Sequence, residues 1–414
     1  MSTDPACLSC GAPLRHTLID LGEQPLANAY LVREQLEAGD EPRYPLHARI
    51  CADCLLVQVE KVVSPAEIFS DYAYFSSYSP SWLAHCSDYA RTVTDRLGLG
   101  PDSIVIEVAS NDGHLLANFV SSGMPVLGVE PAANVAKVAV EAGVPTEVAF
   151  FGRPCAAEIT GRGVSADLVV ANNVLAHVPD LDDFVGGLAA ILKPSGVLTV
   201  EVPHLLRIIE GTEFDTIYHE HLSYFSLLAA RDVLARRGLR VFDVDELTTH
   251  GGSLRIWASR LDAAKAWPET AAVERVLETE RAAGLHSLEG YREFAPRVES
   301  LLADLRRFLR DAKAAGERVA AYGAAAKGNT LLNTAEVTTE EIGYVVDRSP
   351  HKQGRFLPGS HLPILEPDHV RDDRPDYLLV LPWNLRDEIT AQMADVRKWG
   401  CRFVVPVPRL EVVP

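Results

Sequence analysis

Residues 216–226 read TIYHEHLSYFS, and within them Tyr218, His219, Glu220 and His221 stand side by side. A phenol, two imidazoles and a carboxylate in four positions suit metal binding, proton transfer, or a polar strand end. A zinc-hydrolase centre needs H-E-x-x-H on a helix, and H-E-H lacks that spacing. A structural metal site would find no further ligands nearby in the sequence. Proton transfer fits these residue types better. An imidazole beside a carboxylate is held in one tautomer and stays basic near neutral pH, while a phenol alongside can donate to a developing oxyanion or share the base's task. The polar strand end remains the alternative.

Four of the seven cysteines form two C-x-x-C knuckles, Cys7 with Cys10 (CLSC) and Cys51 with Cys54 (CADC). Two such loops complete a tetrahedral Cys₄ site, and four thiolates leave no open position for chemistry, so the expected ion is a structural zinc. Reduced cysteines without metal, or a redox pair, are the other readings. The stretch between the knuckles must carry its own small sheet, with HTLIDLG and RYPLHARIC as strands. Cys86, Cys155 and Cys401 have no partner at ligand spacing and read as buried small apolar residues.

The elements that would position the 218–221 cluster lie upstream of it. SPSWLAHCSDYARTVTDRLGLG reads as a helix with a Gly stop. SIVIEVA, ASNDG and HLLANFV follow as strand, tight turn and helix, a geometry that presents backbone N–H groups to a ligand. PVLGVEP is a second strand ending in Glu130, an acid placed to accept both hydroxyls of a ribose. DLVVANN and GVLTVEVP flank an amphipathic helix and complete an α/β unit. The cluster then follows at the carboxyl edge of that sheet, before a helix with Ser226 as N-cap and Gly238 as stop. HGGS (His250 to Ser253) joins two antiparallel strands, VFDVDEL and LRIWASR, as a mainly structural turn. Candidate cofactor contacts are Glu107, Ala109, Asn111, Asp112, Gly113, Glu130 and Asn172. The turn lacks G-x-G, which disfavours NAD.

Residues 268–316 read as polar amphipathic helices, a connector. RVAAYGAAAKGNTLL then repeats the strand, turn and helix, with EEIGYVVDRSP, PDYLLVLPWN and CRFVVPVP as further strands of a second, smaller doubly wound unit. Lys327 and the amides of its turn suit a diphosphate; a solvent-facing Lys on a packing turn is the alternative. Trp383 and Asn384, at a strand end, suit stacking and hydrogen bonding to a base or sugar.

A chain of 414 residues is too long for one core. Its net charge of −18 opposes loose binding to nucleic acid, though local basic groups can still hold a small anion. The sequence shows no apolar run of membrane-spanning length and no signal-peptide pattern, so a cytoplasmic protein is expected, with no membrane partner and a monomeric or weakly self-associating state.

The series of acid-ended strand, turn, second acidic strand, NN-x-LAH and KPSG resembles the class I S-adenosylmethionine-dependent methyltransferases, with Ala109-Ser110-Asn111-Asp112 where glycines are common. Asn and Asp tolerate the left-handed φ such a turn requires. Over essentially its full length the chain resembles the sugar C-methyltransferases that act on nucleotide-linked 4-keto-deoxyhexoses in antibiotic biosynthesis. The matching stretches are CLSCGAPL with IDLGEQPLANAYL, CADCLLVQV, SDYAYFSSYS, EVASNDGHLL, NNVLAHVPDL, FDTIYHEHLSYFS, THGGSLRIW and YGAAAKGNTLLN. The resemblance implies a zinc-bearing domain (1–78), an S-adenosylmethionine-binding Rossmann-like domain (79–265), a helical connector (266–316) and a Rossmann-like nucleotide-sugar domain (317–414). It implies a dTDP-linked 4-keto-deoxyhexose as substrate, methylated at C3, or at C5 as the alternative, through an enolate. A non-sugar methyltransferase is the broader alternative.

His221 is the expected base, Tyr218 assists or holds the sugar, and Glu220 orients them or binds a sugar substituent. Alternation along an extended segment turns His219 to the opposite face. The family motif places an active-site tyrosine at Tyr72, with Tyr74, Phe75 and Tyr78 as a hydrophobic lid. His177, in LAHVPD, reaches the cofactor or substrate, or serves as a satisfied structural His. Rival classes are an oxidoreductase with two nucleotide folds, a zinc-ribbon nucleic-acid binder and an O-methyltransferase.

Overall fold

In a computed structural model of the chain, which describes residues 4–64, 67, 80–263 and 265–413, three sheets form in chain order. The first starts with β1 (His16–Gln24), β2 (Tyr44–Ile50) and β3 (Val57–Val59), paired antiparallel. On β2 the side chains of Leu46, Ala48 and Ile50 are buried while Pro45 is exposed and His47 and Arg49 half-buried, so period-two patterning gives this sheet an apolar face. Each cysteine knuckle closes as a turn on a left-handed residue: Gly11 (φ 76°) donates its N–H to Cys7 O at 2.9 Å, and Leu55 (φ 59°) to Cys51 O at 3.0 Å.

The second sheet uses β4 (Val105–Val108), β5 (Val126–Val129), β6 (Thr146–Glu147), β7 (Ala166–Asn172) and β8 (Leu192–Pro203), all parallel. After β8 the chain leaves this sheet. The short β9 (Ser223–Tyr224) pairs antiparallel with β3, Val57 opposite Tyr224 and Gln58 opposite Ser223. The end of the 216–226 segment is thus an edge strand of the N-terminal sheet, which no local pattern announced. The chain returns as β10 (Leu239–Leu247) and β11 (Ser253–Arg260), giving the order β10-β11-β8-β7-β4-β5-β6. The order reverses between β4 and β7, and the crevice at that switch point is where such sheets take ligands.

The third sheet contains β12 (Val319–Tyr322), β13 (Val345–Val346), β14 (Ile364–Leu365), β15 (Tyr377–Val380), β16 (Arg402–Val405) and β17 (Glu411–Val413) in the order β14-β13-β12-β15-β16-β17. Its two edge strands, β14 and β17, are too short to show a pattern in sequence.

The helices of the 268–316 stretch divide between two cores. Ala271–Ala282 buries Val273, Val276 and Leu277 against the central sheet. Phe294–Ala315 buries Leu301, Leu302, Leu305 and Leu309 in a core shared by the first and third sheets, with Leu46 and Val57 on one side and Leu331 and Val345 on the other. Each fully buried Leu there contributes about 1.5–3 kcal/mol. The N-terminal and C-terminal units therefore grip the 216–226 segment between them. Ser226 caps the helix Leu227–Ala235 by accepting from Ala229 N at 3.1 Å, as its position in the sequence predicts. Among the described residues no helix is long and apolar enough to cross a membrane.

Candidate active site

Residues 218–221 are not extended. They form a tight turn in which His221 N donates to Tyr218 O at 2.9 Å. A turn brings its first and fourth residues together, so Tyr218 and His221 share a side, with ring centroids 4.0 Å apart. His219 does point elsewhere, toward Tyr44 O at 3.3 Å, but because of the turn rather than strand alternation. His221 Nδ1 lies 3.0 Å from Thr216 O. A carbonyl only accepts, so Nδ1 carries the proton and Nε2 presents its lone pair. Tyr218 Oη donates to that lone pair at 2.6 Å. Burial, then the neighbouring His177, hold the imidazole well below its usual pKa, so it is neutral and able to accept a proton through the neutral range.

His177 sits on the short helix Leu175–His177 after β7, and its Nδ1 donates to Glu220 O at 2.7 Å. Its ring meets His221 edge-on at 4.8 Å, and burial pushes its pKa down to about 4. Glu220 accepts from Asn28 Nδ2 at 2.7 Å, and burial raises its pKa to about 7. Asn28 is in turn held by Tyr30, whose hydroxyl also reaches Ala324 O at 2.7 Å. All three units thus meet at this turn. The sequence reading missed Asn28; the only signal was a polar side chain inside the apolar run PLANAYL. Tyr72, Tyr74, Phe75 and Tyr78 lie outside the described residues.

Glu107, Glu130 and Asn172 stand at the carboxyl ends of β4, β5 and β7, and Ala109 to Gly113 form the turn after β4. The turn after β4 is left-handed at Ala109 (φ 56°), Asn111 (φ 49°) and Gly113 (φ 76°). At Gly113 a Cβ would come within 2.9 Å of Ala139 Cβ, so the close packing of turn and helix requires glycine there. Glu107 ends β4 buried, its pKa raised well above the ordinary range by burial and then by Asp112, Glu130 and Glu201. Glu107 Oε2, Ser110 Oγ and both amide atoms of Asn172 are buried without a hydrogen-bond partner, the mark of a crevice built for a polar ligand. Glu130 differs from expectation in one respect. Its carboxylate oxygens already accept the amides of Asn111 and Ala132, both at 2.9 Å, leaving one lone pair on each for a hydroxyl. Asp347 repeats the device in the third sheet, accepting from Ala324 N at 2.7 Å.

Lys327 does not present itself to a diphosphate. Its Nζ donates to His250 O at 3.3 Å and lies 4.6 Å from the centre of the Trp383 ring. Trp383 is not free for stacking on that face, and its Nε1 donates to Asp215 Oδ2 at 2.7 Å. Asn384 follows on the same short turn, half-buried. The reason is tertiary: helix Ala326–Thr334 docks against residues 214–217, with Thr330 Oγ1 on Ile217 O at 3.1 Å, and this aims Lys327 inward.

Among the described residues, Cys7, Cys10, Cys51 and Cys54 form one group able to hold a metal, with all four sulfurs within 4.8 Å of one another. The pairs Cys7–Cys54 and Cys10–Cys51 approach to 3.5 Å, near the separation of about 3.8 Å that Zn–S bonds of ~2.3 Å impose on a tetrahedron. The donor set fits zinc. Gln58 donates to Cys7 Sγ at 3.2 Å, so the site is tied to β3 and through it to β9. Cys86, Cys155 and Cys401 are buried and unpaired, as expected.

A switch-point sheet with an acid-ended first strand and orphaned polar groups at its carboxyl edge is the architecture of a class I methyltransferase. Domain models match along the chain: a zinc-binding domain over residues 7–69, a methyltransferase domain over 82–244 and a C-methyltransferase C-terminal domain over 248–408, the last beginning before β11 and taking in the 268–316 helices. The C-methyltransferase NovU of Streptomyces niveus is 37% identical over 98% of this chain and 96% of its own length. The chain belongs to this C-methyltransferase family. A ubiquinone biosynthesis O-methyltransferase of Methylobacterium sp. is 32% identical over 29% of this chain and 50% of its own. Magnesium protoporphyrin IX methyltransferase of Synechocystis, 14% identical, covers 43% of this chain and 83% of its own at a TM-score of 0.35. The protein is an S-adenosylmethionine-dependent methyltransferase with a zinc-binding cysteine cluster.

Proposed function

We propose that the chain is a cytoplasmic enzyme that methylates a ring carbon flanking the ketone of a dTDP-linked 4-keto-deoxyhexose, C3 or C5. One observation carries this reading: His221 has its Nδ1 fixed on Thr216 O at 3.0 Å and its Nε2 lone pair facing the site, 2.6 Å from Tyr218 Oη. Carbon beside a ketone is the ring carbon that loses a proton readily, and an unprotonated, oriented imidazole can take it. The proton passes to His221 Nε2, directly once Tyr218 turns to the substrate or through the Tyr218 oxygen. The C–H electron pair moves into the carbonyl, giving an enolate whose oxygen takes a hydrogen bond from Tyr218. The Thr216 carbonyl, rather than Glu220, orients His221; Glu220, braced by Asn28, is left to bind a sugar substituent, and His177 closes the side facing β7. S-adenosylmethionine supplies an electrophilic methyl group from the crevice lined by Glu107, Ala109, Asn111, Asp112, Gly113, Glu130 and Asn172. With Lys327 turned inward, the amides at the start of helix Ala326–Thr334 are the candidate cradle for the diphosphate.

The test is hydrogen exchange in D₂O with S-adenosylhomocysteine in place of the donor. Wild type should place deuterium on the carbon beside the ketone of dTDP-4-keto-6-deoxyglucose, and its position identifies C3 or C5. His221→Ala should bind S-adenosylhomocysteine normally and exchange at least ~100-fold more slowly. Unchanged exchange in that variant, or a methyl group found on oxygen, refutes the reading.

A further inference from the structure

Beside the turn of residues 218–221 lies a polar nest that the proton transfer does not use. Glu213 is 5% exposed, and among the described residues its carboxyl has no hydrogen-bond partner. Asp215 is 0% exposed; its Oδ2 accepts from Trp383, and its Oδ1 is buried without a partner. Lys327 donates one bond, to His250 O at 3.3 Å, leaving two of its three protons unused. All converge on the HGGS turn. A Cβ on Gly251 (φ 96°) would lie 2.6 and 2.7 Å from the two Glu213 oxygens and 2.7 Å from the Trp383 ring. Gly251 therefore does more than reverse the chain: it leaves room for this carboxyl.

The nest adjoins the turn of residues 218–221. The short helix Phe214–Thr216 ends on the carbonyl that fixes His221, and Lys327 and His250 are close enough to His221 to lower its pKa. Three groups with unused hydrogen-bonding capacity, nine-tenths or more buried in two cases, mark a place for a polar ligand group.

Its chemistry selects the ligand. A phosphate would meet two carboxyls. An ammonium would meet the charge of Lys327. A hydroxyl meets neither objection, because it can donate to Glu213 and accept from Lys327 at once. We infer that Glu213 and Lys327, backed by Asp215, form a specificity subsite for one ring hydroxyl of the sugar. This rests on the sugar-methyltransferase reading above. It assigns Lys327 to the sugar ring rather than to the diphosphate, and it makes the substrate a hydroxylated rather than an amino sugar at that position.

The test is calorimetric titration of the full chain saturated with S-adenosylhomocysteine. Probes are dTDP-4-keto-6-deoxyglucose, its single-deoxy and single-amino analogues, and dTDP alone. In wild type, removing one particular hydroxyl, or replacing it by an amine, should weaken binding at least about tenfold. In Glu213→Gln and Glu213→Ala that gap should shrink to about threefold or less. In Lys327→Met, dTDP alone should bind as in wild type. Retention of the full gap in both Glu213 variants, or a tenfold loss of dTDP affinity in Lys327→Met, overturns the subsite while deuterium exchange in wild type leaves the broader reading standing. Wild type that neither binds the sugar nucleotides nor exchanges deuterium removes both.

Discussion

Glu213→Gln should make the protein more stable at alkaline pH. Burial, with Asp215 adding repulsion and Lys327 opposing both, raises the Glu213 pKa from 4.5 to about 8. An acid whose folded pKa lies above its unfolded value contributes stability below the unfolded pKa and loses it as pH rises through the folded one. At pH 6 the folded protein still holds this proton while the unfolded chain has released it, so stability falls by about 1.4 kcal/mol per pH unit until about pH 8 and then levels off. Between pH 6 and pH 9 the group removes roughly 2–3 kcal/mol. Glutamine has the same shape and cannot ionise. The two proteins should match near pH 4, the variant should be roughly 2 kcal/mol the more stable at pH 6, and its advantage should grow by roughly 2–3 kcal/mol more by pH 9. Urea unfolding at these pH values measures this. Groups away from this cluster titrate equally in both proteins, so the difference reports Glu213 together with its coupling to Asp215 and Lys327. Parallel pH dependences would show that the carboxyl is solvated or paired in solution and would refute the buried, unpartnered geometry. A group that costs stability in this way fits a binding role.

Asn28→Ala removes the hydrogen bond to Glu220, worth about 1.5–3 kcal/mol to the ionised form; the Glu220 pKa, already about 7, should rise by roughly 1–2 units, shifting the matching limb of kcat/KM to higher pH. A limb that stays in place would detach Asn28 from Glu220. Cys51→Ser should abolish stoichiometric zinc by elemental analysis and lower activity without altering S-adenosylhomocysteine affinity, since Gln58 ties the site to β3, which pairs with β9 beside the 218–221 turn. Gly113→Val forces a Cβ to 2.9 Å from Ala139 Cβ at φ 76° and should weaken S-adenosylhomocysteine binding at least tenfold while zinc content stays unchanged. Glu280→Ala should cost about 3–5 kcal/mol in urea unfolding, because its buried carboxylate accepts from Leu227 N at 2.5 Å and Leu228 N at 3.0 Å and pairs with His204 at 2.8 Å.

Local chemistry was legible in the sequence. Two C-x-x-C knuckles identify a Cys₄ site because four thiolates at that spacing serve one ion. Apolar runs ending in an acid and a small-residue turn mark the crevice strands, and Ser226 and Gly238 mark a helix's ends, because period and capping are short-range properties of the backbone. The residues of the proton-transfer pair were legible as types.

Their geometry was not. Tyr218 and His221 meet because the segment closes as a turn, and the turn is held by partners far away in the chain: Asn28 is 192 residues from Glu220, and Thr330 is 113 from Ile217. Lys327 looked like a phosphate ligand from its turn, and the docking of its helix places it against His250 O and the Trp383 ring. Side-chain direction and pKa depend on the sum of burial and charge from every element packed nearby. Spacing within one segment carries no record of that sum, so composition and motif determined which groups this protein owns, and packing of the three sheets decided which of them face one another.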